Sequence, residues 1–325
     1  MPTAAGEDFA ARADCHRGEL RAHCYRMLGS VHEADDLVQE TMVRAWRSRD
    51  SYDERRAPLR TWLYRIATNA CLTALEGRAR RPLPSGLAAP GDDPDVPLVP
   101  SWEIPWLQPF PDARSGSDPA ATVAGRAGLR LALVAALQLL PPRQRAVLVL
   151  RDVLAFSAAE VAGLLDASPP AVNSALQRAR ATLAARAPTW DRADEPSEGE
   201  VRDVVERYVR AFEAADVDGL VALLTEDAVL EMPPVPLWYR GRADYGRFMA
   251  RMFAMRGADW RLSSTSANGQ PALVAYCGDG SGGYRLHTLQ VLTVTRAGVA
   301  GNVVFADPAV FTAFGLPTVP APGDR

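Results

Sequence analysis

The feature that most constrains this chain is a pair of short helices joined by a tight turn, between Ser157 and Arg186. Ser157 followed three residues later by Glu160 makes a capping box, which predicts a helix start. Ser168 is placed to cap a second helix whose first residue is Pro169, a position where proline's missing N–H costs nothing. This stretch is therefore predicted to fold as two helices with only a short turn between them.

The second helix of the pair has one apolar side, and its other faces are polar and basic. A short basic helix bearing amide side chains suits the major groove of duplex DNA, where such side chains read base edges. An ordinary helical hairpin would show a similar pattern, so this stretch alone leaves both interpretations open. The apolar set is Val172, Ala175, Leu176, Ala179 and Leu183; the polar set is Asn173, Ser174, Gln177, Arg178 and Arg180.

Charge is distributed in blocks that the net charge of −3 conceals. Residues 44–81 carry +6 and residues 126–187 carry +5, while the spacer 82–125 between them carries −5. Two basic blocks indicate nucleic-acid contacts at two places. All 36 basic residues are arginine, which favours guanidinium contacts to phosphates and bases, although a GC-rich coding bias gives the same composition.

The first basic block contains a predicted helix over 59–81 in which aromatic and arginine side chains alternate. Trp62 and Tyr64 lie beside Arg60 and Arg65. Aromatic faces hold unstacked bases and arginines track the phosphates, so this pattern is typical of single-strand binding. The alternative is that Trp62 and Tyr64 are core aromatics.

Two further helices are predicted before this block, over 9–28 and 32–47. The second has an apolar stripe ending at Trp46 and an acidic face formed by Asp35, Asp36, Gln39 and Glu40. Without context, such a face is equally consistent with a solvated helix side.

The spacer 82–125 is rich in Pro, Gly and Asp, which excludes regular structure and favours an extended, semi-rigid segment. Trp102, Trp106 and Phe110 make it too apolar for a passive tether. We expect these side chains to dock either on the third domain of this chain or on a partner.

The four cysteines form no CxxC pair, which indicates reduced thiols in a cytosolic protein. Cys15-His16 and His23-Cys24 can be drawn as a metal cluster, but the spacing is not that of zinc ligands, so helix packing is favoured and no metal is predicted. No signal peptide and no membrane-spanning segment is predicted, and the expected location is the cytoplasm.

Two long motifs show a resemblance to a known family. DDLVQETMVRAW followed by APLRTWLYRIATNACLTAL is similar to region 2 of the extracytoplasmic-function (ECF) sigma factors of the sigma-70 family. LPPRQRAVLVLRDVLAFSAAEVAGLLDASPPAVNSALQRARATL is similar to region 4 of the same group. The implied partners are core RNA polymerase and promoter DNA, and the implied function is promoter-specific initiation of transcription.

The resemblance also implies roles for individual residues. The acidic face would dock on the clamp helices of the largest polymerase subunit, the first basic block would melt and hold the −10 element, and the helix pair would read the −35 element as duplex. The spacer would thread the polymerase near its active-site cleft. The residues assigned are Asp36, Leu37, Gln39 and Glu40 for the polymerase; Tyr52, Arg60, Trp62, Arg65 and Asn69 for the −10 element; and Ser168, Ala171, Asn173, Ser174, Gln177, Arg178 and Arg180 for the −35 element.

The last part of the chain has helices first and alternating strands after them, which predicts an α+β fold with a curved antiparallel sheet. The stretch YVRAFEAADVDGLVALLTEDAVLEMPP…YRGRADYGRFM resembles the SnoaL-like, nuclear-transport-factor-2-like superfamily. In that fold the sheet wraps a pocket, which here would be lined by Tyr208, Asp227, Trp238 and His287. These residues include no compelling catalytic pair, and fold alone does not convey function.

The predicted architecture is multidomain: an all-α region 2 bundle, an all-α region 4 with its helix-turn-helix, and a C-terminal α+β cone. We predict a sigma factor without cofactor, whose C-terminal domain regulates it by packing against the sigma regions or their linker. A SnoaL-like enzyme joined to a DNA-binding module and a polymerase-independent helix-turn-helix regulator are the alternatives. The predicted segments are region 2 (9–81), linker (82–125), region 4 (126–187), a second linker (188–199) and the C-terminal domain (200–319).

Overall fold

The computed structural model describes residues 4–114, 129–186 and 196–320. The chain divides into two compact units, each made of two stretches of sequence. The first, called here the helical unit, is Met1–Arg81 with Leu107–Ala187. The second, called the sheet unit, is Pro82–Trp106 with Pro188–Arg325. The spacer is thus shared, its first part belonging to the sheet unit and its second part to the helical unit.

The first half of the helical unit is a bundle whose helix ends agree with local sequence signals. Gly29, at φ +70°, ends one helix in the left-handed conformation that glycine tolerates best, and Ser30 caps the next by accepting the N–H of Glu33. The predicted helix over 9–28 is in fact two helices, broken at Cys15 and His16. The helices are α1 (Ala4–Asp14), α2 (Arg17–Leu28), α3 (Val31–Arg47) and α4 (Leu59–Ala74).

The fourth helix is shorter than predicted. It ends at Ala74, so Arg78, Arg80 and Arg81 lie beyond it in irregular chain and do not form a helical basic tail. Glu33 on α3 forms ion pairs with two of them, Arg78 at 2.7 Å and Arg81 at 2.9 Å. The basic residues beyond α4 therefore close over the start of α3.

The second half of the helical unit contains the helix pair. The capping box of Ser157 and Glu160 is present, and Asp166, at φ +48°, makes the tight turn between the two helices. The helix predicted over 126–140 is observed over Leu131–Leu137; residues 129, 130 and 138–140 are not helical, and 126–128 lie outside the described residues. The helices are α5 (Leu131–Leu137), α6 (Pro142–Leu148, continued by a π turn at Val149–Val153), α7 (Ala158–Leu164) and α8 (Pro169–Arg186).

A buried arginine joins the two halves of the helical unit. The guanidinium of Arg145, 3% exposed, donates to the carbonyl of Met27 at the end of α2, to Oε1 of Gln138 (2.8 Å) and to the carbonyl of Leu140 (3.2 Å). The Gln138 amide donates to the carbonyl of Arg26 at 3.4 Å. Burial lowers the pKa of Arg145 to about 10, which leaves it charged at neutral pH. Carbonyls left unpaired at the ends of two helices are thus satisfied by one side chain.

The sheet unit is an α+β fold with one six-stranded sheet in the order β2-β1-β6-β5-β4-β3. β1 and β6 are parallel, and every other neighbouring pair is antiparallel. β2 and the last helix were not predicted. The elements are α9 (Glu198–Glu213), α10 (Val217–Ala222), β1 (Leu224–Glu231), β2 (Trp238–Arg240), α11 (Arg242–Arg256), β3 (Trp260–Ala267), β4 (Gln270–Gly278), β5 (Tyr284–Thr295), β6 (Gly298–Phe305) and α12 (Pro308–Phe314).

The core of the sheet unit lies between its helices and one face of the sheet. The ring of Phe212 on α9 contacts those of Phe253 on α11 and Trp260 on β3 edge to face. The ring centroids of each of these two pairs are 5.4 Å apart. Leu98 of the spacer packs against this same core, which explains why the first part of the spacer belongs to this unit. Within the described ranges, no helix is both long and apolar enough to cross a bilayer.

Candidate polymerase and promoter interface

The predicted polymerase-binding residues lie together on one side of α3. Asp36, Gln39 and Glu40 are exposed and Leu37 is half-buried, while Val38 behind them is fully buried. Glu40 pairs with Arg44 one turn later at 2.5 Å. An exposed pair of this kind contributes little to stability, so these carboxylates remain available to a partner's cations.

The spacer adds a second cap, beside that of Ser30, at the start of α3. Oε1 of Gln108 accepts hydrogen bonds from the hydroxyl of Ser30 (2.9 Å) and from the N–H of Val31 (3.1 Å). The Gln108 N–H donates to the carbonyl of Gly29 at 3.0 Å, and its own carbonyl accepts from the Tyr25 hydroxyl at 2.8 Å. The ring of Phe110 packs against that of Tyr25 at a tilt of 40°, with centroids 4.8 Å apart. The second part of the spacer is therefore built into the base of the acidic face.

Two of the predicted −10-binding residues are in direct contact. The rings of Tyr52 and Trp62 have centroids 5.2 Å apart, and Phe9 of α1 lies 6.3 Å and 6.2 Å from them. Trp62 is half-buried, so one face of its ring serves packing while the rest is accessible. The ring contacts of Trp62 agree in part with the core interpretation, and its role as a base platform remains a prediction.

Arg60 is held between aromatic rings from both halves of the helical unit. Its guanidinium lies 4.9 Å from the ring of Tyr64 and 5.0 Å from the ring of Phe156, which precedes α7. It also donates to Glu19 Oε2 at 2.9 Å. Despite the desolvation that opposes it, the hydrogen bond to Glu19 and the nearby Tyr64 and Glu19 raise the pKa of Arg60. A residue predicted to hold −10 DNA is thus engaged by the region that was predicted to read the −35 element.

Arg65 makes a second contact of this kind. Its guanidinium lies 3.5 Å from Oδ1 of Asp166, the residue in the turn of the helix pair. Asn69, one turn further along α4, is exposed. Three of the five predicted −10 residues, Arg60, Trp62 and Tyr52, are therefore already in aromatic contacts, and Arg65 is in an ion pair.

The predicted −35-binding residues form a continuous exposed face. Val172, Leu176 and Ala179 are buried as predicted, which turns the opposite side of α8 to the outside. The exposed residues of this face are Ser168, Ala171, Asn173, Ser174, Gln177, Arg178 and Arg180.

The start of α8 offers no backbone donor to a phosphate in its first positions. Pro169 and Pro170 have no N–H, and the N–H of Ala171 is directed at the Ser168 hydroxyl oxygen at 3.4 Å. The N–H of Val172 donates to the carbonyl of Ser168 at 3.0 Å. Phosphate contacts at this end must come from side chains.

The two arginines of the face differ in their surroundings. Arg180 makes a bidentate pair with Asp152, with Nε at 2.9 Å and Nη2 at 2.7 Å from the two carboxylate oxygens. This hydrogen-bonded carboxylate raises the pKa of Arg180. Arg178 is exposed and has no ion pair among the residues that the structure describes.

The four residues predicted to line a pocket in the sheet unit occupy different surroundings. Tyr208 is fully buried, and its hydroxyl bonds to the Tyr245 hydroxyl (3.1 Å), to Gln290 Oε1 (3.1 Å) and to the Asn302 amide (3.1 Å). Burial raises the pKa of Tyr208 well above its usual range. This centre consists of uncharged phenols and amides.

The other three lie apart from it. Asp227 is exposed and accepts from the Thr225 hydroxyl, Trp238 donates to the carbonyl of Ala88, and His287 packs 5.2 Å from the ring of Trp260. Burial and the charge of Arg256 lower the pKa of His287 to about 4. Within the described part of the chain, no hydrogen bond or ring contact joins any two of the four, and the pocket remains a prediction.

Several residues at these surfaces were not singled out from the sequence. Phe9, Glu19 and Phe156 each contact a predicted −10 residue from another element, and Gln108 caps α3 from the spacer. Of these four residues, only Gln108 could have been suspected from the sequence, because it lies beside Phe110 in a spacer that was expected to dock. Among the described residues, no group of three or more His, Cys, Asp or Glu side chains is arranged to hold a metal ion.

Three family models match the chain in sequence order. Sigma-70 region 2 matches residues 13–81, a Sigma-70 region 4 model matches 130–183, and a SnoaL-like domain model matches 205–304. The predicted fold class is confirmed: two helical sigma regions followed by an α+β SnoaL-like domain. The segment boundaries remain predictions.

Individual relatives are similar to the chain over most of their length. The chain is 49% identical to the ECF RNA polymerase sigma factor SigG of Mycobacterium tuberculosis over 315 residues, which is 95% of this chain and 84% of that protein. A crystal structure of the M. tuberculosis extracytoplasmic-function sigma factor SigJ superposes with a TM-score of 0.64 at 25% identity, covering 96% of this chain and 99% of that one.

Proposed function

The chain belongs to the ECF RNA polymerase sigma factors, and we propose that its C-terminal domain controls the sigma regions by holding their linker. As a sigma factor it directs promoter-specific initiation of transcription, with RNA polymerase and promoter DNA as its partners. The control is assigned to the sheet unit, which contains the SnoaL-like match at residues 205–304.

For the polymerase, we propose the acidic face of α3 as the surface that docks on the clamp helices of the largest subunit. Its support is the exposure of Asp36, Gln39 and Glu40 on a helix whose start the spacer also caps. For DNA, we propose α4 and the preceding loop for the −10 strand and the exposed face of α8 for the −35 duplex. The proposed location is the cytoplasm, where core polymerase works.

The observation that carries the regulatory proposal is the seat of the spacer on the sheet unit. Trp238 Nε1 donates to the carbonyl of Ala88 at 2.9 Å, and the Gly91 N–H donates to the carbonyl of Trp238 at 2.8 Å. The Tyr239 hydroxyl donates to the carbonyl of Asp93 at 3.1 Å. All three bonds go to main-chain groups of the spacer, so a stretch predicted to be extended is recognised mainly through its main chain.

Helix α11 and β1 complete this seat. Arg247 donates to the carbonyl of Asp92 at 3.0 Å, and Arg251 donates to the carbonyls of Pro94 and Val96, the latter at 2.8 Å. The Ser85 N–H donates to the carboxylate of Glu231 at 2.9 Å, inside a buried site, and burial raises the pKa of Glu231. Two arginines, an indole and a phenol thus hold main-chain carbonyls between residues 88 and 96, and Glu231 holds the N–H of residue 85.

A segment held in this way is not free to enter the polymerase. In the family the linker threads the polymerase near the active-site cleft, so the same residues serve two competing sites. We therefore propose that the sheet unit restrains loading onto polymerase until the linker is released.

The proposal is tested by in vitro transcription with core polymerase from a promoter mapped with the holoenzyme. Arg251→Ala removes two charge-assisted hydrogen bonds to the linker, and we expect it to raise transcription at limiting sigma concentration by up to about tenfold. A chain ending at Arg186 should do the same. Arg256→Ala, on the same helix but with no hydrogen bond to the described part of the linker, is the control. Equal transcription by all four proteins at every concentration would refute the restraint.

We also propose that the sheet unit is not an enzyme. The polar side chains at its described centre, Tyr208, Tyr245, Gln290 and Asn302, hydrogen-bond to one another and carry no charge. General acid–base chemistry needs a titrating group within reach of a substrate proton. The exposed Asp227 and the packed His287 do not supply one at that centre.

A further inference from the structure

An aromatic cluster on the helical unit contains a residue that the sigma regions do not account for. Phe9 lies in α1, before residue 13, where the match to Sigma-70 region 2 begins. Its ring contacts both Tyr52 and Trp62, the two aromatic residues assigned to the −10 strand. We call these three residues the Phe9 cluster.

The cluster has no room for a base between Tyr52 and Trp62. Their centroids are already 5.2 Å apart, a separation at which two rings are in direct contact. A base that stacks on Trp62 must therefore take a position beside this pair. Phe9, at 6.2 Å from Trp62 and almost perpendicular to it (75°), fills such a position.

The cluster also contains an unsatisfied polar atom. The Tyr52 hydroxyl oxygen is buried and has no hydrogen-bond partner among the described residues. A buried hydroxyl without a partner is destabilising, and the edge of a nucleobase offers both donors and acceptors that would satisfy it. Phe9, which covers the cluster now, offers none.

Helix α1 is attached in a way that allows it to leave. Of its residues from Asp8 to Asp14, only Ala13 is buried and Phe9 is half-buried. The pair between Arg12 and Glu54, at 3.0 Å, ties the helix to the loop that carries Tyr52, but both side chains are exposed. Exposed ion pairs add little stability, so among the described side chains from residue 8 to residue 12 the ring contacts of Phe9 are the main attachment.

We propose that Phe9 occupies the position of an unstacked −10 base in the free protein and must be displaced when the strand is captured. This inference rests on the proposed role of Tyr52 and Trp62 in binding the −10 strand. It makes Phe9 a residue that sets how readily the promoter strand is captured, by competing with the base for the same aromatic face.

The test uses holoenzyme made from the full chain and core polymerase. The probe is the nontemplate-strand oligonucleotide of a promoter mapped with that holoenzyme, carrying 2-aminopurine at each −10 position in turn. Phe9→Ala removes the competitor, and we expect it to bind the probe about threefold more tightly and to give the larger fluorescence change at one position. Phe9→Trp, which keeps an aromatic competitor, should bind no more tightly than the wild type.

The direction of the change distinguishes competition from a packing role. If Phe9 only supported Tyr52 and Trp62, Phe9→Ala would weaken probe binding or leave it unchanged, and either result would overturn the proposal. Arg12→Ala loosens α1 while retaining Phe9; should Phe9→Ala fail to fold by circular dichroism, Arg12→Ala must show the same tighter binding. Trp62→Ala separates the two ideas: if it leaves probe binding unchanged, the −10 assignment itself is wrong.

Discussion

Most arginines assigned to promoter DNA already hold a carboxylate of this chain. Each of these pairs must open, or be shared, before its guanidinium can meet a phosphate, and this adds a cost to DNA binding that an unpaired arginine avoids. Arg178 is exposed without such a pair in the described part of the chain. The pairs are Arg60 with Glu19 (2.9 Å), Arg65 with Asp166 (3.5 Å) and Arg180 with Asp152 (2.7 Å).

The first residue-scale prediction compares the two arginines of α8. Arg178→Ala should weaken holoenzyme binding to a −35 duplex and lower the slope of log K against log salt by about one, because one phosphate contact is lost. Arg180→Ala should change the slope less, since its guanidinium is engaged by Asp152. A filter-binding salt titration measures both, and identical slopes for Arg178→Ala and the wild type would contradict the assignment.

The second concerns His23, which is fully buried against Thr68 at 2.9 Å. Burial, with the charges of Arg26 and Arg60, lowers the pKa of His23 from 6.5 to about 3. Between these values the unfolded chain binds a proton that the folded chain does not. The free energy of unfolding should therefore fall as pH decreases from 6.5 towards 3, by up to about 1.4 kcal/mol per pH unit.

Urea denaturation of the wild type and of His23→Gln at several pH values isolates this contribution. The difference between their free energies of unfolding should change with pH inside that window and be constant above it. A constant difference throughout would show that His23 titrates normally in the folded protein.

At the scale of helices and strands, the sequence predicted what is encoded locally. The capping box at Ser157 and the Ser168-Pro169 start of α8 lie where predicted, because a cap depends on residues within one turn. β2 is only three residues long and depends on pairing with β1, so its own sequence carries too little pattern. The predicted helix extended to residue 81 because arginines are good helix formers, whereas Gly77, at φ +69°, takes the left-handed conformation that a helix cannot continue through.

The candidate surfaces divide in the same way. The exposed side of α8 could be predicted from helical periodicity, since buried Val172 and Leu176 determine which side faces outward. Arg60 and Phe156 are 96 positions apart in the chain, and Tyr52 and Phe9 are 43 positions apart. No local sequence pattern encodes contacts between residues so far apart. The same limit applies to the seat of the spacer on β2 and α11.

The prediction at this scale concerns Arg145, which satisfies carbonyls at the ends of two helices. Arg145→Ala leaves those carbonyls buried without a donor, and we expect it to lower the free energy of unfolding of the helical unit by about 3 kcal/mol. Arg143→Ala, exposed and on the same helix, is the matched control and should stay within about 0.5 kcal/mol of the wild type. Thermal denaturation monitored by circular dichroism distinguishes them; equal melting temperatures would mean that water replaces the guanidinium.

At the scale of the molecule, the helical unit is too small to read both promoter elements as it stands. Elements about 25 base pairs apart are separated by roughly 85 Å at 3.4 Å per base pair. A compact body of about 160 residues has a radius of gyration of about 15 Å. The contacts of Arg60 with Phe156 and of Arg145 with Met27 must therefore break before both elements are bound.

We expect this separation to be measurable by distance. With the native cysteines replaced, spin labels at Glu76 after α4 and at the exposed Ala184 on α8, which is not assigned to DNA, report on the two halves of the helical unit by double electron–electron resonance. The distance should be short in the free chain and increase by tens of ångströms in the holoenzyme–promoter complex. A distance that does not change would mean that the two halves bind as one body.

The seat of the spacer has a consequence for dosage. The last spacer N–H that donates to the sheet unit is that of Ser101, which bonds to the carbonyl of Pro234. The first that donates to the helical unit is that of Gln108, which bonds to the carbonyl of Gly29. Seven residues span at most about 25 Å, so the domain that we propose as a restraint stays at a millimolar-range effective concentration however much protein the cell makes. A separate inhibitor protein is outnumbered when its target is overproduced. The sheet unit is part of the same chain as the sigma regions, so each copy of the protein contains one. Overexpression alone should therefore not relieve the proposed restraint.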